Sequence, residues 1–223
     1  MGVLTEHYIG IGLSVVGIIV VVSLIVRKAA DSYIRRFERV FANSGIIARV
    51  FVDRVLESED IDIILEETEE RSKGEFLFKE SVVKLPELED SSLLTLGISA
   101  HELAHASQAN SQKFLVAITD ILDKLGVLLS YIFPVTLIIG FILFFPFLQV
   151  ALILYFLILL LLLAKIPLEV DASIKALTYL ERYGELTQVE LSRLKKLLVL
   201  AILTRLTDLT AGFLVLVDLN KKR

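Results

Sequence analysis

The stretch "LGVLLSYIFPVTLIIGFILFFPFLQVALILYFLILLLLLA", residues 125–164, decides the fold because it contains no charged residue over its whole length. As one helix it would be about 60 Å long, roughly twice the hydrocarbon thickness of a bilayer. Pro146 disfavours a continuous helix, so a turn near "FFPFLQ" would divide the run into two spans. The sequence therefore predicts a transmembrane hairpin whose ends, beside Lys124 and Lys165, lie on the same side of the membrane.

A second charge-free run, residues 8–26, is also long enough to cross a bilayer as a helix of about 28 Å. Basic residues follow this run instead of preceding it, and no small-residue cleavage site ends it, so we expect a membrane span and not a signal peptide. Residues 1–7 contain no Lys or Arg, and the positive-inside rule then places residue 27 onward in the cytoplasm. The composition agrees, with 55% hydrophobic residues and a mean hydropathy of +0.73.

We expect a mainly α-helical membrane protein with a small α+β, zincin-like (gluzincin) cytoplasmic portion and three, or alternatively four, transmembrane helices. The expected segments are a transmembrane helix over residues 1–26, the cytoplasmic zincin-like portion over 27–124, the hairpin over 125–164, cytoplasmic helices over 165–196 and an apolar helix over 197–223. The last segment carries Arg205 and Asp208, which are costly in lipid, so we expect an interfacial or packed helix, with a fourth span as the alternative.

The water-facing part shows strand patterns followed by helix patterns. "IDIILEE" predicts a short strand, and "GEFLFKESVVKLPE" predicts two strands joined by a turn at Lys79 and Glu80. A helix over "SSLLTLGISAHELAHASQ" is expected to be capped by Asp90 or Ser91. After the hairpin, Pro167 is expected in the first turn of a new helix, and "TQVE", residues 187–190, fits a capping box that opens the next one.

The motif "HELAH" places two of the three histidines of the chain four residues apart. On a helix His101 and His105 then lie on one face, where both rings can bind one metal ion, and Glu102 lies close enough to reach a metal-bound water. Such a glutamate acts as general base in zinc-dependent peptide hydrolysis. The alternative is a buried helix with incidental polar groups, because H-E-x-x-H also occurs by chance.

A catalytic zinc ion usually has three protein ligands, and the chain contains no cysteine to supply the third. The remaining histidine, His7, is expected at the outer end of the first span, so a carboxylate is required. Glu169 is the candidate, because it follows the hairpin on the expected side of the membrane among apolar neighbours. Asp171 is a candidate partner for a ligand histidine. From the residues alone, other acidic side chains of the water-facing part remain alternatives.

Together, "ISAHELAHASQ", the paired spans and "IPLEVDASIKAL" resemble the YugP-type membrane proteins of bacteria and archaea that are classed as zinc metallopeptidases. The resemblance covers nearly the whole chain, and the HtpX-type membrane peptidases share its broader plan. It implies one zinc ion bound by His101, His105 and Glu169, with Glu102 as catalytic base. The chain departs from the family in having Ala104 where glycine is usual, and in the stretch "EETEERSKGEFLFKE", which puts substrate recognition, but not zinc chemistry, in question.

The resulting expectation is an integral zinc metalloendopeptidase of the plasma membrane of a bacterium or archaeon, with its active site at the cytoplasmic face. Its expected partners are the lipid bilayer and a polypeptide substrate, such as a membrane protein or a misfolded protein in quality control, bound as an extra strand along "SVVKLPE". The net charge of −4 gives no support for nucleic-acid binding. The alternatives are a non-catalytic metal-binding scaffold or regulator, which would have no need of Glu102, and a small transporter subunit.

Overall fold

The computed structural model describes the backbone of residues 2–68, 74–143 and 145–210, and the side chains of those between residues 8 and 204. Within these ranges the elements, in chain order, are α1 (Gly2–Phe37), α2 (Ala48–Glu59), β1 (Ile64–Glu67), β2 (Glu75–Leu77), β3 (Val82–Leu85), α3 (Leu93–Ser111), α4 (Lys113–Ile142), α5 (Pro146–Tyr183) and α6 (Gln188–Thr210). The chain divides into two compact units. We call residues 1–29, 119–166 and 203–223 the hairpin unit, and residues 30–118 and 167–202 the motif unit.

In the hairpin unit, α4 and α5 pack against each other as antiparallel helices. The rings of Phe133 and Tyr155 lie 5.1 Å apart, and Lys165 forms an ion pair with Asp123. Close to the turn, a Cβ added at Gly140 would lie 2.7 Å from the backbone nitrogen of Leu148, so only glycine allows this approach. The predicted turn is confirmed, since α4 ends at Ile142 and α5 begins at Pro146.

Three helices are long and apolar enough to cross a membrane, and they contain the segments Tyr8–Phe37, Lys113–Ile142 and Pro146–Tyr183. Helix α6 is not among them within the described residues. The side chains of Arg205 and Asp208, and all of residues 211–223, lie outside the described part of the chain, as does the side chain of His7. The choice between a packed C-terminal helix and a fourth span therefore stays a prediction.

The expectation that a new helix starts at Pro167 is wrong, because α5 continues through this residue without interruption. A proline inside a helix removes one backbone hydrogen bond and costs about 3 kcal/mol. Buried side chains lie on both sides of it, including Leu162 before and Ala172 and Ala176 after. Their burial explains why the helix tolerates this cost, and one helix thus carries both the apolar run and Glu169.

The motif unit contains a three-stranded sheet in the order β1–β3–β2. Strand β1 runs parallel to β3, and β2 runs antiparallel to it. The expectation that "SVVKLPE" is an edge strand is therefore wrong, because this segment contains β3, the central strand. Burial explains its position: Val82, Val83 and Leu85 are buried, whereas β1 is mostly exposed and β2 has no buried residue. The edge next to α3 is β2, since α3 packs on β2 and β3 but not on β1.

Helix α3 lies in the middle of the core of the motif unit and packs on α2 as well as on the sheet. Its N-cap is Ser92, one or two residues after the expected position, and the Ser92 hydroxyl accepts a hydrogen bond from the N–H of Thr95. The Asp90 carboxylate accepts hydrogen bonds from the Ser92 hydroxyl at 2.6 Å and from the Thr95 hydroxyl at 2.7 Å. Burial alone would raise the pKa of Asp90, but these hydrogen bonds hold it below its usual value.

The capping box that opens α6 is confirmed. The Glu190 carboxylate accepts hydrogen bonds from the N–H of Thr187 and from the N–H of Asn43, both at 2.8 Å. Burial would raise the pKa of Glu190, but its hydrogen bonds with Thr187 and Asn43 lower it below the usual value. One carboxylate therefore caps α6 and joins it to the segment that precedes α2.

Candidate metal centre

Helix α3 presents the two motif histidines on one face, as the spacing predicts. His101 is buried and His105 is nearly so, and their Nε2 atoms lie 3.2 Å apart. The helix is buried along most of its length, and small residues such as Ala100 and Ala104 are completely buried. Ala104, which departs from the pattern that the sequence resemblance implies, therefore fits its place in the core.

Helix α5 brings the Glu169 carboxylate to the two rings. Glu169 Oε2 lies 3.4 Å from His101 Nε2 and 3.6 Å from His105 Nε2, and the carboxylate is buried. The chain leaves the motif unit at Ile118 and returns to it at Pro167, two residues before this ligand candidate. Three residues separated by 68 positions in the sequence thus place their donor atoms around one point.

The spacing of these three atoms fits a zinc ion. A tetrahedral site with metal–ligand bonds of about 2.05 Å separates its ligand atoms by about 3.3 to 3.4 Å, and the observed separations are 3.2, 3.4 and 3.6 Å. Two imidazole nitrogens and one carboxylate oxygen are also the donor types of catalytic zinc sites, in which a fourth position stays open. The donor set and its dimensions therefore fit one zinc ion.

Glu102 is buried in the same helix turn and belongs to no ligand cluster of the described residues. Its side chain lies against the start of β2, because a Cβ added at Gly74 would be 2.7 Å from Glu102 Cγ and 2.6 Å from Ile98 Cγ2. The edge strand β2 and the candidate catalytic base Glu102 are thus immediate neighbours. Their close approach requires glycine at position 74, because any side chain there would meet Glu102.

Gln108 is the site residue that the sequence reasoning missed. Its side chain is completely buried, and its Oε1 lies 3.0 Å from His105 Nδ1. Its Nε2 donates hydrogen bonds to the carbonyl oxygen of Leu168 at 2.9 Å and to Asp171 Oδ2 at 2.8 Å. The available signal was its position three residues after His105, on the same face of an apolar helix.

Asp171 lies close to the ligands, and its Oδ2 accepts a hydrogen bond from Gln108 and lies 3.5 Å from the Nζ of Lys175. It reaches His105 through the Gln108 amide. His101 differs from His105 in this respect, because no hydrogen-bond partner of its Nδ1 is found among the described residues. Among the described residues, a side-chain hydrogen bond at Nδ1 therefore orients the ring of His105 but not the ring of His101.

Comparison with known proteins adds one match. The model of a family described as "Putative neutral zinc metallopeptidase" matches residues 13–220. No curated protein and no solved structure matches the chain. The match includes the motif helix, the hairpin and Glu169, and it confirms the resemblance noted from the sequence. The chain therefore belongs to this family.

Proposed function

We propose that the protein is an integral-membrane, zinc-dependent endopeptidase of the gluzincin type. The observation that carries this proposal is the convergence of His101, His105 and Glu169 beside Glu102, in a chain that belongs to a zinc metallopeptidase family. A structural metal site could use the same three ligands, but it would have no use for a buried glutamate one residue after the first of them.

The proposed roles follow from chemistry and position. His101, His105 and Glu169 hold the ion, which, when bound, supplies a Lewis acid that lowers the pKa of a water to about 7. Glu102 accepts a proton from the attacking water and passes it to the leaving amine nitrogen. Because Glu102 is buried, its carboxylate does this work where bulk water competes little for its hydrogen bonds.

The substrate is proposed to bind as an extended strand along β2. Strand β2 is an edge of the sheet within the described residues, and it lies beside α3. A peptide that pairs with this edge through backbone hydrogen bonds would pass close to Glu102, since Gly74 immediately precedes β2 and contacts that side chain. Backbone pairing is insensitive to side-chain identity, which suits an enzyme that acts on varied polypeptides.

The proposed location is the plasma membrane, with the site at its cytoplasmic face. Glu169 lies five residues beyond the charge-free run on the same helix, about 7.5 Å further along the axis. Substrates reaching it would be membrane proteins, their segments close to the bilayer, or misfolded cytoplasmic tails. The proposed partners are the bilayer and such polypeptides, with no nucleic acid.

The test is cleavage of casein and of a model membrane substrate by the full chain purified in detergent. We expect cleavage that a zinc chelator abolishes and added zinc restores. Glu102→Gln should retain zinc and lose about 10²- to 10⁴-fold in rate, because it removes general-base catalysis without removing a ligand. Glu57→Gln, at an exposed position of α2, is the matched control and should cleave normally. Full cleavage by Glu102→Gln would contradict the proposed mechanism.

A further inference from the structure

The amide of Gln108 makes three contacts of unequal kind, and these contacts determine its orientation. The Leu168 carbonyl and the Asp171 carboxylate can only accept hydrogen bonds, so the group that faces both of them must be the NH₂ of the amide. The amide oxygen consequently faces His105 Nδ1, at 3.0 Å. No alternative flip of the amide satisfies all three partners.

This orientation fixes which nitrogen of a neutral His105 ring carries the proton. Since an amide oxygen only accepts, the Nδ1 of the ring must carry the proton, which leaves a lone pair on Nε2. Nε2 is the atom that points towards His101 Nε2 and Glu169 Oε2. The hydrogen bond therefore selects the tautomer that can bind a metal ion, and it holds the ring in position before the ion arrives.

The same side chain connects the two helices that supply the ligands. Gln108 lies on α3, whereas Leu168 and Asp171 lie on α5, on either side of Glu169. Gln108 is completely buried, so water does not compete for these hydrogen bonds. If the turn of α5 that carries Glu169 shifted along α3, at least one of the hydrogen bonds from Gln108 to Leu168 and Asp171 would break.

We propose that Gln108 is a positioning residue of the metal centre, which fixes the tautomer of His105 and the register of the Glu169 turn against α3. This inference rests on the proposed function, and it assigns Gln108 a role through His105 and not a contact with substrate. Partners of this kind typically change metal affinity by 10- to 100-fold when they are removed.

The experiment measures the zinc dissociation constant of the full chain in detergent, by competition with a chromophoric chelator. Gln108→Met keeps the length of the side chain and removes all three hydrogen bonds, and it should weaken zinc binding by about 10- to 100-fold. Gln149→Met, at an exposed position of α5, is the matched control and should bind zinc as the unmodified chain does.

A polarity swap separates positioning from packing. Gln108→Glu still accepts from His105 but faces the Asp171 carboxylate, so zinc binding should weaken. Adding Asp171→Asn gives that glutamate a donor again, and the double variant should recover at least about tenfold of the lost affinity. A double variant that binds no more tightly than Gln108→Glu would overturn the proposal.

The tautomer can also be read by ¹⁵N NMR of the histidines in the unmodified full chain after a chelator has removed its zinc, which requires no variant to fold. The metal-free chain is used because an ion on Nε2 would by itself place the proton on Nδ1. We expect the proton of His105 on Nδ1, and a proton on Nε2 would overturn the proposal. Failure of the proposed function looks different. In that case the unmodified chain binds no zinc, or His101→Ala binds it equally well, whereas failure of this inference leaves tight zinc binding that is unaffected by Gln108→Met.

Discussion

The contact between Gly74 and Glu102 predicts that Gly74→Ala impairs catalysis while leaving the metal ligands in place. A Cβ at this position would lie 2.6 Å from Ile98 Cγ2 and 2.7 Å from Glu102 Cγ, where carbon atoms normally stay about 3.5 to 4.0 Å apart. The backbone oxygen of Lys84, at 3.3 Å, blocks a retreat towards β3. Both contacts must be relieved, so Ile98 and Glu102 together, or the start of β2, must move by about 1 Å.

Two magnitudes follow from this displacement. Overpacking of this size costs about 1 to 3 kcal/mol of folding stability. A misplacement of about 1 Å at a reacting group can cost about 10²-fold in rate, so we expect kcat to fall by about that factor. Zinc content should stay unchanged, because the three atoms nearest to the added methyl group belong to Ile98, Glu102 and Lys84 and not to His101, His105 or Glu169.

The assay compares kcat, zinc content and thermal unfolding of Gly74→Ala with those of Gly17→Ala. Apart from its chain neighbours and the backbone of its own helix, no heavy atom of the described residues lies within 4 Å of a Cβ added at Gly17, so this variant should behave as the unmodified chain. Adding Ile98→Ala to Gly74→Ala should recover part of the stability but not the rate, since the contact with Glu102 remains. A Gly74→Ala variant that cleaves at the unmodified rate would refute the placement of the proposed catalytic base, Glu102, against β2.

Three further predictions concern stability and topology. The lowered pKa values of Asp90 and Glu190 mean that folding favours their ionised forms. The stabilisation that these carboxylates provide is present above about pH 4 and is lost as the pH falls through their folded-state pKa values. The melting temperature of Glu190→Gln should therefore fall less between pH 5 and pH 3 than that of the unmodified chain. Ser92→Ala should cost about 0.5 to 2 kcal/mol in chemical unfolding, through loss of the α3 cap. Because the chain has no cysteine, Asn110→Cys and Thr5→Cys can be labelled singly, and labelling of both from one side of the membrane would contradict the predicted topology.

The features that the sequence predicted are those with a strong local signal. A charge-free run interrupted by Pro146 leaves few structures other than a helical hairpin, and the four-residue spacing of His101 and His105 places both rings on one helix face. Glu169 was identifiable because the predicted hairpin returns the chain to the side of the membrane that carries the histidine motif. In addition, an acidic side chain among apolar residues needs a partner.

The features that the sequence did not predict depend on tertiary contacts. The central position of β3 follows from burial of Val82, Val83 and Leu85 on the core, which a four-residue strand does not reveal by its sequence alone. Pro167 is a strong helix-start signal that packing on both sides overrides. Gln108 gave little signal, because its role arises from contacts with Leu168 and Asp171, about 60 residues later.

The central claim is that His101, His105 and Glu169 together hold one zinc ion, and metal content tests it most directly. Elemental analysis of the full chain, purified in detergent without chelators, should give one zinc per chain, and Glu169→Ala should give markedly less under the same conditions. Chains without zinc would contradict the account. Full occupancy in Glu169→Ala would also contradict it, by moving the third ligand to another carboxylate, such as Asp171.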